Sequence, residues 1–247
     1  MATVRCPIFM YHQITHENHP SFNNHLSVTV KRFEEQIYYL TKKNYQFITL
    51  RELATNPNLD FCRNKYIILT FDDIFQTFYQ FAFPILKKYG IRATAFLIGN
   101  SFNHDKYMNL KEDGLISLTS DQINELLEYG IEIGSHTMTH NQLTDLTDNQ
   151  ANQELTDSYQ LIKSLTNDNI TFCYPRGAYN TEHLKMVKEI GYLAAVTIQR
   201  GNAQDLSALF NLKRIKVSQK HKGIKIRYLC SFLYDLNYRL KAKKDNK

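Results

Sequence analysis

The stretch YIILTFDD, residues 66–73, shows most directly how this chain folds. It begins with a short apolar run, Tyr66 to Phe71, and a longer amphipathic segment follows it, which is the pattern of a βα unit. Its last two residues, Asp72 and Asp73, stand where a barrel strand opens onto the carboxyl-terminal face, which carries the catalytic groups of such barrels. We therefore expect an α/β protein whose chemistry lies at the ends of its strands.

Seven further apolar runs alternate with amphipathic segments. The eight predicted strands are Cys6 to Met10, Gln46 to Thr49, Tyr66 to Phe71, Ala93 to Leu97, Ile131 to Ser135, Thr171 to Tyr174, Leu193 to Thr197 and Leu212 to Ile215. The predicted helices are Val30 to Lys43, Gln76 to Tyr89, Ser120 to Tyr129, Asp148 to Thr166 and Asn180 to Ile190. Three of these helices lead into a glycine, in KKYG, LEYG and KEIG, as helix C-termini favour. Eight such strands suit a barrel.

The composition is that of an ordinary globular protein. Of 247 residues, 43% are hydrophobic and 22% charged, and no apolar run approaches the roughly 18 residues that a membrane span requires. The four cysteines are scattered without a CxxC pair, which argues against a structural zinc site and against a disulfide framework. Because the first twenty residues lack the order of a secretory signal, we expect the protein to stay in the cytoplasm.

Positive charge is concentrated near the C-terminal end. The formal net charge is +6, and the segment from Lys213 to Lys247 is rich in Lys and Arg but has only two Asp. We assign residues 1–223 to the barrel and residues 224–247 to a basic amphipathic helix and tail of the same domain. A nucleic-acid partner is not expected, because the basic run is short and lacks interleaved aromatic residues.

The C-terminal segment allows two interpretations. From Ile224 to Leu240, five apolar residues recur at spacings of three and four and fall on one helix face: Ile226, Leu229, Leu233, Leu236 and Leu240. The favoured interpretation is a helix packed onto the barrel. The alternative is an interfacial helix on an anionic membrane, at the inner face, where each basic residue contributes about 1 kcal/mol.

The carboxylates Asp72 and Asp73 also allow two interpretations. A pair at a strand end can simply cap the next helix by accepting hydrogen bonds from its free N–H groups. Adjacent side chains on an extended segment point in different directions, however. One carboxylate could then bind a metal while its neighbour accepts a proton from water, so the pair is a candidate for catalysis.

A second group of candidate ligands lies in IEIGSHTMTHNQL, where His136 and His140 directly follow a predicted strand. If the chain turns helical after Ser135, residues four apart share one face and both imidazoles can bind one cation. Two polar loop residues are the simpler interpretation. The coincidence of this pair with the Asp pair, both at strand ends, favours a metal site.

A third motif, TFCYPRGAYN, spans residues 171–180. Pro175 and Gly177 predict an unusual turn after a strand, which could aim the amide of Arg176 at developing negative charge as an oxyanion-hole donor. Taken alone, the motif is only a turn.

The strings TFDD, SHTMTH and FCYPRGAYN, in this order, resemble the first three motifs of the polysaccharide deacetylases, a family of carbohydrate esterases. The segments MYHQI and FYQFAFPILKKYGIRATAFLIGN are similar to the family as well, so the resemblance covers residues 6–217. It implies a distorted (β/α) barrel with seven or eight strands. It also implies that Asp72 is the general base and that Asp73, His136 and His140 hold a divalent metal, with Zn²⁺ as the first candidate. The implied substrate is an N-acetylated amino sugar.

The chemistry of the implied ligand set agrees with this activity. Two neutral imidazoles and one carboxylate leave a divalent ion with net positive charge and open positions, which suits activation of water and polarisation of a carbonyl. Ligation by two nitrogens and one oxygen does not exclude other first-row ions.

The sequence departs from the family pattern at several positions. Ile74 stands where many members have glycine after the two aspartates, so the turn there must avoid a positive φ at a β-branched residue. Cys173 stands where an arginine can steady the base, and Arg214 is our candidate to replace it. The family's later Trp and Leu-x-His motifs are missing, and His221 is the candidate proton donor. Arg214 and His221 could equally be solvated residues.

Three functions remain open from the sequence. The first is removal of N-acetyl groups from an amino sugar of a glycan or of a lipid-linked precursor of a surface polysaccharide, of the lipopolysaccharide type. The second is hydrolysis of another small amide on the same barrel, because a fold and a metal set do not define a substrate. The third is a glycan-binding pseudoenzyme, suggested by the missing motifs.

Overall fold

The structure, a computed structural model, describes residues 3–23, 25–102 and 115–245. The strands of the described part are β1 (Thr3–Arg5), β2 (Ile8–Tyr11), β3 (Gln13–Thr15), β4 (Ser27–Thr29), β5 (Tyr45–Phe47), β6 (Lys65–Phe71), β7 (Thr94–Leu97), β8 (Glu132–Ser135), β9 (Thr171–Cys173), β10 (Ala194–Arg200), β11 (Ala203–Asp205) and β12 (Leu212–Lys216). The helices are α1 (Val30–Lys42), α2 (Leu50–Thr55), α3 (Phe83–Lys88), α4 (Ser120–Tyr129), α5 (Asp148–Thr166), α6 (Thr181–Ile190), α7 (Ile224–Leu229) and α8 (Phe232–Asp245).

Seven parallel strands form a closed barrel. Around the ring they follow the order β2, β12, β10, β9, β8, β7, β6, and the parallel pairing of β2 with β6 closes it. In that pairing Phe9 lies opposite Leu69 and Tyr11 lies opposite Phe71. The eighth strand, β5, pairs only with the beginning of β6. The predicted α/β class and distorted (β/α) barrel are therefore confirmed, and each predicted barrel strand overlaps an observed one.

Alternation along the strands separates the core into two parts. Ile8 and Ile68 belong to a smaller apolar cluster, whereas their neighbours Phe9 and Leu69 belong to a larger one that includes the buried face of α1. Because successive strand residues point to opposite faces, the smaller cluster fills the barrel and the larger one lies between the barrel and its helices. Burial on both sides explains why the strands are continuous apolar runs.

One end of the barrel is covered by α2, a short helix that the sequence analysis did not predict. The amide of Leu50 donates to Thr94 Oγ1 at 2.9 Å, and the amide of Arg51 donates to Glu132 Oε2 at 2.8 Å. Thr94 and Glu132 begin β7 and β8, so α2 crosses the amino ends of these strands. The carboxyl ends are thereby left as the accessible end.

The predicted helix ends are observed where glycines permit them. Gly130 and Gly191 cap α4 and α6 with φ of 99° and 104°, and Gly90 follows α3 with φ of 66°. Only glycine adopts such angles without steric cost. The predicted helix from Gln76 differs, because a π-helical stretch over Phe78–Ala82 separates its first residues from the regular helix α3.

The C-terminal segment is two helices and not the single predicted one. The helical conformation is interrupted at Cys230 and Ser231, between α7 and α8. Ile226 and Leu229 of α7 are buried in the larger core cluster. Beyond the interruption Tyr234 still packs against the larger core cluster, but the other apolar residues with a described side chain are exposed, and these are Phe232, Leu233, Leu236, Tyr238 and Leu240. None of the helices in the described residues is both long and apolar enough to cross a membrane.

Candidate active site

The predicted site residues meet at the carboxyl ends of the barrel strands. Asp72 and Asp73 follow β6, His136 and His140 follow β8, and Arg176 follows β9. Parallel strands bring these ends to one face of the barrel, although the residues are up to 104 positions apart in the chain.

Asp72 is held by a buried two-point ion pair with Arg214 of β12. Arg214 Nη1 donates to Asp72 Oδ1 at 2.6 Å, and Nη2 donates to Asp72 Oδ2 at 2.7 Å. Asp72 is 3% exposed and Arg214 is 1% exposed. Further bonds from Arg214 to the Thr197 carbonyl at 2.8 Å and to Thr70 Oγ1 at 3.1 Å fix the guanidinium. The structure thus places Arg214 against Asp72, the carboxylate for which the sequence analysis proposed it as a partner.

This ion pair controls the protonation of Asp72. Burial alone would raise the pKa of the carboxyl group, but the charge and hydrogen bonds of Arg214 outweigh it, with smaller contributions from His12 and His136. The pKa of Asp72 is therefore held below its ordinary value. The side chain is a carboxylate at neutral pH and can accept a proton.

Asp73, His136 and His140 form a compact group of candidate metal ligands. Asp73 Oδ1 lies 3.5 Å from His136 Nε2 and 3.4 Å from His140 Nε2. Two ligands that are each about 2.1 Å from a tetrahedral ion are about 3.4 Å apart, so the spacing suits one shared ion. Asp73 Oδ1 is buried and finds no hydrogen-bond donor among the described residues. An orphaned buried carboxylate oxygen is costly, and a cation would satisfy it.

The two imidazoles are in the state that metal ligation needs. Burial lowers the pKa of His136 despite the opposing charges of Asp73 and Asp72, and burial together with the positive charge of Arg176 lowers the pKa of His140. His136 Nδ1 lies 2.7 Å from the Cys173 carbonyl oxygen, to which it donates. This hydrogen bond leaves the lone pair of His136 on Nε2, which is the atom that faces Asp73.

A second cluster, Asp72, His136 and Cys173, also has metal-ligating atoms close together. There, however, Arg214 Nη2 lies 3.2 Å from Cys173 Sγ as well as against Asp72. Burial raises the pKa of the Cys173 thiol, which keeps it protonated. The guanidinium already supplies the positive charge at this cluster, so the first group is the better metal site.

The loop that carries the two histidines is not helical, in contrast to the condition we stated for their convergence. Residues 136–142 have no regular structure, and Thr137 and His140 adopt φ of 62° and 61°. Glu154 of α5 holds the loop by accepting hydrogen bonds from the amides of Met138 and Thr139, both at 2.9 Å. Nothing in the sequence pattern predicts this support, because Glu154 is there an ordinary residue of a helix.

Two further site residues have a left-handed backbone. Asp73 has φ of 54°, so the turn after β6 places its positive φ at an aspartate, which tolerates it, and not at the buried Ile74. Arg176 has φ of 53° within the predicted turn after β9. The amides of Gly177 and Ala178 donate within this turn, whereas the amide of Arg176 has no acceptor among the described residues. It is free to donate to a ligand.

His12 is a site residue that the sequence analysis missed. It follows β2, and its Nε2 lies 4.0 Å from Asp72 Oδ2. The motif MYHQI was visible, but nothing in its spacing connected His12 with Asp72, sixty residues away.

The predicted proton donor His221 lies elsewhere. Its Nδ1 accepts a hydrogen bond from the Ser218 amide at 3.0 Å, and its carbonyl oxygen accepts one from Gln36 at 2.7 Å. His221 does not line the cleft over the candidate metal ligands, and His12 does.

The cleft has two arms that meet at His12, Asp73, His140 and Arg176. The first arm, about 480 Å³, is bounded by apolar residues, among them Phe22 and Phe75. The second arm, about 550 Å³, runs toward β10 and β12 and is lined by Met10, Tyr174, Ile198, Arg200 and Lys216 in addition to the ligands. Each arm is large enough for a sugar ring, so the shape suits a chain that passes across the candidate metal ligands.

Comparisons with known proteins agree with this geometry. The sequence model of the family described as "Polysaccharide deacetylase" matches residues 62–195. The Bacillus subtilis (strain 168) protein YxkH is 36% identical over 221 residues, which are 89% of this chain and 74% of YxkH. A poly-beta-1,6-N-acetyl-D-glucosamine N-deacetylase of Staphylococcus epidermidis is 29% identical over 202 residues, 78% of this chain and 68% of that protein.

The fold has a solved counterpart. The Streptococcus pyogenes deacetylase PplD, whose structure was determined in complex with acetate, matches with a TM-score of 0.79 and 28% sequence identity. The match covers 93% of this chain and all of that one. With the closed barrel, the paired aspartates and the two histidines at one strand end, these similarities show that the chain belongs to the polysaccharide deacetylase family.

Proposed function

We propose that this chain is a metal-dependent N-deacetylase that hydrolyses the acetamido group of an amino sugar in a glycan, with Zn²⁺ as the metal. The observation that carries the proposal is the orphaned Oδ1 of Asp73 between two imidazoles, beside a second carboxylate that is fully paired. One aspartate is thus ready to bind a cation and its neighbour is ready to accept a proton.

Asp73, His136 and His140 would hold the metal. When bound, a divalent ion of this kind supplies positive charge that activates water and polarises the acetyl carbonyl. The remaining steps belong to the chain's own residues, which must deprotonate the attacking water, stabilise the developing oxyanion and protonate the leaving amine.

Asp72 is the proposed general base. Its two-point contact with Arg214 fixes the plane of the carboxylate, so the proton must be taken at the oxygen edge that faces the cleft. Since the pKa of Asp72 is low, the carboxylate is a weak base that is always ionised near neutral pH. The site must therefore lower the pKa of the attacking water before Asp72 can accept its proton.

The free amide of Arg176 is the proposed donor to the acetyl oxygen as negative charge develops there. Its side chain lines both arms of the cleft and adds positive charge beside the same oxygen. The proposed proton donor to the amine is His12, which replaces His221 in this role because it borders the cleft on the side of Asp72.

The proposal also includes contact with an anionic membrane through α8. Leu233 and Leu236 give this helix an exposed apolar surface, beside the exposed Phe232, whose ring faces the guanidinium of Arg5. The surrounding sequence is strongly basic, and this combination of charges and apolar side chains suits an interface of anionic lipid. A lipid-linked glycan precursor would be presented at such a surface.

The direct test is acetate release from oligomers of N-acetylglucosamine, before and after treatment with a chelator. We expect chelation to abolish release and added Zn²⁺ to restore it. Turnover that persists at the same rate in the chelated protein would contradict the mechanism.

A further inference from the structure

The second arm of the cleft carries positive charge that the proposed reaction does not use. Arg200 at the end of β10 and Lys216 at the end of β12 both line this arm, together with Arg176. None of the three is within 4.0 Å of a carboxylate oxygen belonging to the residues that the structure describes. Within the described part of the chain the arm therefore holds three cations without an ion-pair partner, and two of them, Arg200 and Lys216, have no role in the proposed reaction.

The strand geometry aims Lys216 at the cleft. Residues two apart on a strand point to the same face, so Lys216 shares the face of Arg214, whose guanidinium holds Asp72 inside the barrel. Lys213, one residue before Arg214, lies on the opposite face and does not line the arm. In the parallel register Lys216 lies beside Met10, and Met10 also lines the arm.

Arg200 reaches the same space from the neighbouring strand. It is exposed and pairs in register with Arg214 of β12. Ile198, two residues earlier, lines the arm with it and gives an apolar wall for the body of a sugar. Of the two carboxylates that line the arm, Asp72 is paired with Arg214 and Asp73 is a candidate metal ligand, so neither lies against Arg200 or Lys216.

We propose that this arm is a binding subsite for an anionic group, a phosphate or a carboxylate, carried by a glycan residue adjacent to the sugar that loses its acetyl group. The inference rests on the proposed function and names the class of its substrate. Cations that line one cleft without an ion-pair partner concentrate anions there and form charge-assisted hydrogen bonds with them. By the same electrostatics the arm repels a glycan that already carries free amines, because these are cationic at neutral pH.

The test compares three tetrasaccharides of N-acetylglucosamine with the wild-type protein. One is neutral, one carries a single 6-phosphate, and one has a single glucuronate in place of one sugar. We expect KM for the charged compounds to be about tenfold lower than for the neutral one, the effect of one charge-assisted hydrogen bond, and to rise with salt. A lower KM for both charged compounds would show that the arm recognises negative charge in general. A lower KM for only one of them would show whether the arm recognises phosphate or carboxylate.

Two variants and a matched control assign the effect. In Lys216→Gln and Arg200→Gln, the preference for the charged over the neutral compound should fall about fivefold through KM, while kcat for the charged compound is maintained. Lys213→Gln removes the same charge from the opposite face of β12 and should keep the full preference.

Equilibrium binding of the same three compounds separates this inference from the proposed function. If acetate is released equally well from the neutral and charged compounds, the anion subsite is refuted and the deacetylase stands. If no compound is turned over but the charged ones bind more tightly and need Lys216, the subsite stands and the deacetylase is refuted.

Discussion

Asp72 and Asp73 are adjacent residues of the same type with opposite surroundings. Asp72 has both carboxylate oxygens paired with Arg214 in a buried site. Asp73 has a buried oxygen with no hydrogen-bond donor among the described residues, and it faces two imidazoles of lowered pKa. The backbone accounts for these different surroundings. The positive φ of Asp73 directs its side chain away from the side chain of Asp72. Neighbouring carboxylates can therefore divide the tasks of proton transfer and metal binding.

The largest expected effect separates these two tasks. Asp72→Asn should lower acetate release about 10³-fold while bound metal is retained, since only the base is lost. Asp73→Asn should lower activity at least as much and also lose the metal, because it removes the charged ligand. Metal content after dialysis, measured beside acetate release, checks both. Equal metal loss in the two variants would break the proposed division of tasks.

The second expected effect is on stability. Arg214→Met and Asp72→Asn should each lower the free energy of unfolding by about 3 kcal/mol, because each leaves one buried polar partner uncompensated. The double variant should lose less than the sum of the two, and urea unfolding measures all three. Additive losses would show that the two groups do not act as a pair.

The pH dependence of stability sharpens this result. The pKa of Asp72 is lower in the folded protein than in the unfolded chain, so its contribution is present above the unfolded value of about 4. It is lost as the pH falls through the folded value. The stability difference between wild type and Asp72→Asn should therefore shrink below about pH 4.

The third expected effect concerns the proton donor. His12→Asn should lower kcat about 10²-fold, the usual contribution of a general acid. His221→Asn is the matched control, and we expect a change of less than about threefold because its ring bonds only within its own loop. A larger loss of kcat for His221→Asn than for His12→Asn would return the role to the residue that the sequence first suggested.

The smallest expected effect is at α8. Leu233→Ser together with Leu236→Ser should weaken binding to vesicles that contain anionic lipid severalfold, with acetate release from a soluble oligomer unchanged. Removal of the whole segment from residue 224 is the poorer experiment, because Ile226 and Leu229 belong to the core. Unaltered vesicle binding in the double variant would argue against the membrane contact.

The fold was predictable from the sequence because its signals are local. The apolar runs and the glycines of LEYG and KEIG determine strands and helix ends within a few residues of themselves, and the structure shows both. The break between α7 and α8 was not predictable. The helical spacing of the apolar residues continues through Cys230, so it does not reveal the interruption. Ile226 is buried and Leu233 is exposed because only Ile226 packs against the rest of the domain, which the spacing cannot show.

The site was predictable only where its residues form recognisable strings. The DD and HxxxH pairs were found in this way. Contacts between distant segments were not, such as His12 with Asp72 or Glu154 with the histidine loop. Arg214 could be proposed only because Cys173 stands where the family can have an arginine, which meant that another cation was needed beside Asp72. The helical spacing assumed for His136 and His140 was the wrong reason for their convergence, which depends on backbone angles that spacing does not reveal.

The structure describes six non-glycine residues with positive φ, and four of them belong to the candidate metal site or lie beside it: Asp73, Thr137, His140 and Arg176. Each such conformation costs on the order of 1–3 kcal/mol, most of all at the β-branched Thr137. The rest of the barrel must hold these residues in place. Selection for thermal stability alone would therefore act first against the loops that carry the chemistry, and a more heat-resistant descendant of this chain is expected to be a poorer catalyst.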